Sequence, residues 1–469
     1  MDRIKLSQIL YRWNPWWEGK KPVMPEFKRS EYFHIQKEIS NKKISVITGP
    51  RQTGKTTLMY QLIAGIIDGG TKPSQVLYLL LDDFIDEIEK GNLTLREILE
   101  VWSEDILKER LTEGKKIVFF DEIQVYKKWS RELKSLISQN YPIKFIASGS
   151  SSVDILERTS ESLAGRISRT IIMPLKFNEI LRFYVNNDIW TEKIKPLTVS
   201  LTKCLLKGLS ENKPDIFFRE MSKAYKALLP IEDIIRIHFN KYFKKGGYPE
   251  IALQDLDRFQ SFSRLKNYID SVIHKDFVNF FKVRDTKTLE RILKLVSKNT
   301  SQIIVERGLA KDLGASVNTI RNHLGFLESA FLVMGSSIHS KSYAKKIRRP
   351  EKLYIIDIGL GDVLAGYDDS DNGKIAETIV HNHLEFIALS NPIFQFELTY
   401  WKNNREIDII LTHKSKSLPI EVKYGKARNI EAVKDFTEKY NTWGIVISDE
   451  LKQEGRIIFV PIHLILLLQ

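Results

Sequence analysis

Residues 49 to 56 read Gly-Pro-Arg-Gln-Thr-Gly-Lys-Thr and satisfy G-x-x-x-x-G-K-[ST] at every position. The apolar run Ile44 to Thr48 precedes them and the helix-like Thr57-Leu-Met-Tyr-Gln-Leu-Ile follows. Strand, glycine-bracketed turn and helix start thus come in the order that phosphate binding requires. Gly49, Pro50, Arg51, Gln52, Thr53 and Gly54 are expected to form the turn. Its backbone N–H groups join the positive end of a helix begun by Lys55, Thr56 and Thr57. Lys55 then reaches the β- and γ-phosphate oxygens, and the Thr56 hydroxyl takes one position on Mg²⁺. The expected cofactors are ATP and Mg²⁺.

A second group of residues makes the expected chemistry hydrolytic. Lys115-Lys-Ile-Val-Phe-Phe is a buried-strand pattern that ends in Asp121 and Glu122. At the carboxyl end of a strand, Asp121 can hold Mg²⁺ through water while Glu122 polarises the water that attacks the γ-phosphate. An acidic pair after a strand is often only a turn or a helix cap; beside the cradle it gains a catalytic meaning. The run Ile143 to Ala147 leads into Ser148-Gly149-Ser150-Ser151-Ser152. There the Ser148 hydroxyl can sense the γ-phosphate and hold the attacking water, the alternative being a solvated loop. Arg166, ahead of Arg169, is a candidate to stabilise transition-state charge, in its own subunit or across a homo-oligomer interface. A surface salt bridge is the alternative for both.

The elements that must position these groups alternate between strand and helix patterns. Ile44 to Thr48, Val76 to Leu81, Ile117 to Phe120, Ile143 to Ala147 and Thr170 to Met173 are the expected strands of a parallel α/β sheet, with crossover helices between them. At 469 residues the chain exceeds one hydrophobic core. The expected divisions are an aromatic segment 1–30 containing Trp13, Trp16 and Trp17, an ATPase domain 31–175, a helical lid 176–285, a winged helix 286–349 and a C-terminal domain 350–469. The tryptophans are expected to cap the core of the first domain in preference to meeting a base or another subunit. Residues 457 to 468 are expected to be a final core strand.

Composition narrows the partners. A net charge of +13 favours polyanions such as DNA, although a solvated basic surface is the plainer alternative. The single cysteine, Cys204, has no intrachain partner, and no Cys/His cluster has zinc spacing. The sequence lacks an 18-residue apolar stretch and a secretory leader pattern, so a cytoplasmic location without membrane contact is expected.

Two further patterns bear on DNA. Leu309 to Gly314 and Ser316 to Glu328 read as helix, glycine turn and helix, with Ser316 as N-cap. Asn318, Arg321 and Asn322 would then face a major groove, and the basic run Lys341, Lys345, Lys346, Arg348 and Arg349 falls where a wing would lie. Packing against the chain's own ATPase or another protein is the alternative. Near the C-terminus, Glu377 lies on a helix pattern, Asp408 on a strand, and Glu421 with Lys423 on the next strand. This α-β-β-β-α-β order with D…E-x-K could hold a second Mg²⁺ or Mn²⁺ and activate water for nuclease chemistry. The same residues can also persist as a satisfied salt-bridge cluster.

Gly-Pro-Arg-Gln-Thr-Gly-Lys-Thr, Asp-Glu-Ile-Gln at 121–124, Ser-Gly-Ser-Ser at 148–151, Ser-Leu-Ala-Gly-Arg at 162–166 and Gly-Gly-Tyr-Pro-Glu at 246–250 resemble the predicted AAA+-like ATPases of archaea and bacteria. The tryptophan-rich start is similar to archaeal members. The resemblance implies a P-loop ATPase core, a helical lid, a winged helix and a C-terminal domain of unknown function with a restriction-endonuclease-like core. It also implies adenine contacts at Gly247 and Pro249. Ser148 departs from the asparagine or threonine usual at that position in such motors. Two functions are expected from these patterns. One is a DNA-binding ATPase with a nuclease-like C-terminal domain. The other is a signalling-type NTPase switch whose C-terminal domain is an inactive protein-interaction scaffold.

Overall fold

Ile44–Thr48 (β1), Val76–Leu80 (β2), Lys116–Asp121 (β3) and Ile143–Gly149 (β4) are almost wholly buried, as strands covered on both faces must be. With Ile167–Ile171 (β5) they pair in parallel in the order β2-β3-β4-β1-β5. Side chains alternate between faces. Val46, Leu77, Val118 and Phe145 join one core cluster, and Ile47, Tyr78, Phe119 and Ile146 join the other. In this computed structural model the described residues are 2–91, 93–150, 163, 165–279, 283–340, 351–426 and 429–469. The chain divides into two units, Met1–Met173 and Pro174–Gln469.

Residues 1–30 are built into the first unit. Leu6 and Leu10 of the helix Arg3–Trp13 enter one core, Trp16 enters the other, and the Trp16 and Trp17 indoles each donate to the Val76 carbonyl at 3.0 Å. β5 begins three residues earlier than the sequence pattern indicates. Its pairing with β1 runs from Ile44 opposite Ile167 to Thr48 opposite Ile171, and sheet hydrogen bonding outweighs the local apolar signal.

The second unit opens with helices that include Phe177–Tyr184, Lys195–Glu211, Pro214–Leu228, Glu232–Lys245 and Arg258–Ser271. Next come the helix Thr286–Lys298, Gln302–Ile304 (β6), the helices Glu306–Leu313 and Val317–Ser329, Val333–Ser336 (β7) and Glu351–Ile355 (β8). These three strands form an antiparallel sheet ordered β6-β8-β7. The expected boundary at 349/350 therefore runs through a sheet, because β8 pairs backward with both earlier strands. After the helix Asn372–Ser390 come Phe396–Lys402 (β9), Glu406–His413 (β10), Lys416–Val422 (β11), the helix Glu431–Lys439, Gly444–Ser448 (β12), Lys452–Glu454 (β13) and Ile457–Pro461 (β14). They form a mixed sheet ordered β13-β14-β12-β11-β10-β9. The expected terminal strand stops at Pro461, which precedes the short helix Ile462–Ile465. Proline lacks the N–H that would extend a ladder.

Candidate functional site

The turn after β1 takes backbone conformations that fit its glycines. Gly54 has φ +95°, caps the helix Lys55–Asp68, and has open space where a Cβ would stand. At Gly49 (φ +148°) a Cβ would come within 2.0 Å of the Ile172 carbonyl oxygen. The Thr53 hydroxyl donates to the Pro50 carbonyl at 2.9 Å, and the Lys55 ammonium donates to the carbonyls of Gly49 (3.0 Å) and Pro50 (2.7 Å). Arg29, buried, donates to the carbonyls of Thr53 (3.3 Å) and Met173 (2.7 Å). It steadies the turn from outside, and its spacing carried no sequence signal.

Strand order brings the acids to the cradle. β4 lies between β1 and β3, so Ser148 stands between the turn and the acid pair. One Asp121 oxygen accepts from the Thr56 hydroxyl at 2.7 Å and from the Tyr78 hydroxyl at 2.7 Å. The other accepts from the Ser148 hydroxyl and from the Glu122 N–H at 3.1 Å. Burial, with the Asp121 charge added, raises the Tyr78 phenol well above its ordinary range, so it stays a donor. Glu122 sits at φ +55°, and its carboxylate accepts from the Gln124 amide and from the Ser150 hydroxyl at 3.4 Å. Thr56, Asp121, Glu122 and Ser148 are thus brought together. Tyr78 and Gln124 join them without having been singled out, although Gln124 lies within the quoted Asp-Glu-Ile-Gln.

The two arginines separate. Arg166 precedes β5, its carbonyl accepts from the Ile44 N–H at the start of β1, and its side chain donates to Ser138 at 3.3 Å. That is the edge of the sheet opposite the cradle. Arg169 instead reaches Thr48, the last residue of β1, at 3.1 Å, and burial lowers its pKa. Ser151 and Ser152 lie outside the described residues.

In the second unit, Gly247 is packed so closely that a Cβ would stand 2.2 Å from the Leu175 carbonyl oxygen. Its N–H donates to Asp357 at 2.6 Å. Pro249 starts the short helix Pro249–Ala252. Packing alone accounts for the glycine. Ser316 caps the helix Val317–Ser329 by accepting from the Thr319 N–H at 3.0 Å. Asn318, Arg321 and Asn322 share its exposed face, with Ile320, His323 and Leu327 buried behind. Arg321 is paired with Glu306 at 2.6 Å. Lys341, Lys345, Lys346, Arg348 and Arg349 lie outside the described residues.

The C-terminal acids also converge, around a residue the sequence pattern did not single out. Lys352 of β8 places its ammonium 2.8 Å from Glu377, 2.9 Å from Glu406 and 3.4 Å from Asp408. The Tyr354 hydroxyl donates to Glu377 at 3.0 Å, the Val422 N–H donates to Asp408 at 2.8 Å, and Lys423 pairs with Glu421 at 2.6 Å. Burial, then the Asp408 charge, pushes Glu377 up to about 8 and Glu421 up to about 7. For Lys352, burial opposes the charge, but Glu377, Asp408 and Glu406 outweigh it and hold the pKa above its ordinary value. A cleft of about 560 Å³ opens here, lined among others by Lys352, Lys374, Glu377, Asp408, Lys423 and Lys426. Glu406 was legible in retrospect, two residues before Asp408 and so on the same strand face.

A parallel sheet with a phosphate cradle after β1, an acid pair after β3 and a hydroxyl at the end of the strand between them defines a P-loop nucleoside triphosphatase. Comparison with known proteins agrees: residues 41–181 match the family described as AAA domain. The first unit therefore carries an AAA-type, ATP-binding P-loop ATPase domain. Residues 236–371 and 372–465 match two domains of unknown function, DUF8612 and DUF4143. The chain is 28% identical over 451 residues to an uncharacterized protein of Methanocaldococcus jannaschii, covering 93% of this chain and 88% of that one. It is 23% identical over 392 residues to an uncharacterized protein of Haemophilus influenzae, covering 81% and 82%. Among solved structures, the Walker-type ATPase of Pyrococcus abyssi matches at 14% identity and TM-score 0.41, covering 74% of this chain and 98% of that one. A STAND signal-transduction ATPase with a tetratricopeptide repeat sensor from Pyrococcus horikoshii matches at 13% identity and TM-score 0.24, covering 78% and 46%. Among the described residues, no helix is long and apolar enough to cross a membrane.

Proposed function

We propose that the chain is a Mg²⁺-dependent AAA+-like ATPase of the cytoplasm that engages DNA through a winged helix and carries a C-terminal domain of restriction-endonuclease-like fold. The contact that carries the ATPase reading is the 2.7 Å hydrogen bond from Thr56 to Asp121, which joins the cradle helix to the acid pair across an intervening strand. Bound Mg·ATP supplies the γ-phosphoryl group and its counter-charge. Lys55, now on two loop carbonyls, would turn to the phosphate oxygens, and Thr56 with Asp121 would hold the metal. Glu122 orients and polarises the water, with Ser148 fixing Asp121 beside it. Of Arg166 and Arg169, Arg169 is the nearer to the turn, through its bond to Thr48. Arg166, at the opposite sheet edge, fits a role in a neighbouring copy of the chain.

The DNA reading is supported by the helix pair with exposed Asn318, Arg321 and Asn322, by the three-stranded sheet whose strands flank it in sequence, and by the net charge of +13. ATP turnover measured with and without duplex, branched and single-stranded DNA at fixed salt, together with retention on DNA at low salt, tests it. Turnover indifferent to every DNA and no retention on DNA at low salt would overturn it.

A signalling-type switch with an inactive C-terminal scaffold is favoured by one observation, the Gln124 amide already bonded to the Glu122 carboxylate. Tight nucleotide binding, slow turnover and indifference to Asp408→Ala in every nucleic-acid assay would select that reading.

A further inference from the structure

We propose that the acidic centre of the second unit carries its cation as part of the chain: the Lys352 ammonium stands where a divalent metal would stand, and the centre takes up none. This rests on the restriction-endonuclease-like reading of residues 350–469, for which D…E-x-K carboxylates are metal ligands.

The geometry suits an ammonium. Lys352 offers three N–H donors and meets three carboxylates, Glu377, Glu406 and Asp408, at 2.8, 2.9 and 3.4 Å. Its side chain is 2% exposed. A Mg²⁺ ion instead asks for six oxygens at about 2.0–2.1 Å, and a second cation entering this cluster would meet the ammonium at close range in a buried setting. Among the described residues, no group of three or more His, Cys, Asp or Glu side chains is arranged to hold a metal ion.

The backbone that carries the lysine is held on both sides. It lies on β8, the central strand of its sheet, with Ile303 of β6 on one side and Ser336 of β7 on the other. Tyr354, two residues along on the same face, holds Glu377 at 3.0 Å. The remaining valences of the acids are also directed: Asp408 accepts from the Val422 N–H, and Lys423 takes one oxygen of Glu421. The second Glu421 oxygen, buried, finds no hydrogen-bond donor among the described residues. Lys352 meets Glu377, Glu406 and Asp408 while Lys423 meets Glu421, so two ammonium groups divide the four acids between them. The cation is therefore delivered by the β6-β8-β7 module to the acids of the following domain. Metal-activated water is absent from this cleft, and strand cleavage with it.

The test is Mn²⁺ titration of the full-length, nucleotide-free chain, reading free Mn²⁺ by electron paramagnetic resonance. Asp121→Asn is present throughout to remove the metal ligand of the ATP cleft. The Asp121→Asn chain and its Asp121→Asn/Asp408→Asn derivative should bind Mn²⁺ alike. Adding Lys352→Met should create one further bound Mn²⁺ per chain, and Asp408→Asn should abolish it again. Mn²⁺ held by the Lys352 chain and lost with Asp408→Asn overturns the proposal, and this comparison stands even where Lys352→Met fails to fold. A folded Lys352→Met chain that gains no Mn²⁺ overturns it as well. The two failures differ: Mn²⁺ held by the Lys352 chain leaves the D…E-x-K reading standing and removes only the resident cation, whereas a folded Lys352→Met chain without Mn²⁺ removes the D…E-x-K reading itself.

Discussion

At the scale of single residues, the ATP cleft makes two sharp demands. Lys55→Ala removes the ammonium that bonds the Gly49 and Pro50 carbonyls and that is proposed to turn to the phosphates. At about 1.5–3 kcal/mol per charge-assisted hydrogen bond, loss of two phosphate contacts should lower ATP affinity by roughly a hundredfold or more. Calorimetric titration with ATP checks this. Glu122→Gln keeps the shape of the site and removes the proposed base. ATP binding should persist while steady-state phosphate release drops by about two orders of magnitude or more. These residues were legible because phosphate binding needs a contiguous run whose types cannot vary freely. Tyr78 was not, since a tyrosine inside an apolar strand reads as core until the neighbouring strand brings Asp121 to its hydroxyl. Lys352 was not either: its partners lie 25 to 56 residues away, on a helix and on a strand of the other sheet.

At the scale of elements, turns and caps decide. Gly49→Ala places a methyl against the Ile172 carbonyl and strains a φ of +148°. A loss of about 1–3 kcal/mol in unfolding free energy is expected from the strained backbone, read by denaturant titration of the first unit's transition. In the second unit, Asp357 caps the helix Ile358–Ala365 through the N–H groups of Gly359 (2.9 Å) and Leu360 (3.3 Å) and also holds Gly247. Burial pushes its pKa up to about 6 from an ordinary 3.8, against the lowering effect of those hydrogen bonds. Between those values the folded chain keeps a proton that the unfolded chain has lost. The stability Asp357 contributes is therefore greatest at low pH and falls as pH rises through about 6. Relative to Asp357→Asn, the wild-type chain should lose stability from about pH 4 to 6 and run parallel above that. Urea melts of the two proteins across this range check the sign, and a rising difference would contradict it.

At the scale of the whole molecule, the proposed DNA engagement is read as retention on DNA and as a change in ATP turnover. Asn318→Ala with Asn322→Ala, both on an exposed helix face, should weaken duplex retention and any DNA stimulation while leaving DNA-free ATP hydrolysis unchanged. Retention by the wild-type chain should fall steeply with added salt, as phosphate neutralisation by a basic chain requires. Filter binding at stepped salt, paired with a coupled ATPase assay, reads both. Duplex binding that ignores salt and both substitutions would remove the DNA reading.

The amino-acid sequence by itself determined the cradle, the acid pair, most of the parallel strands and the helical stretch after them. Each depends on contiguous patterning, and period 2, period 3.6 and glycine at positive φ leave marks within a few residues. Only the tertiary structure decided which distant side chains share a centre. It put Ser148 between turn and acids by inserting β4 between β1 and β3, sent Arg166 to the opposite sheet edge, and drew β8 back to β6 and β7 so that Lys352 fills the C-terminal cluster. Strand order and register arise from long-range pairing, whose partners carry no fixed spacing along the chain. The identity of the cation among those carboxylates is a property of the fold.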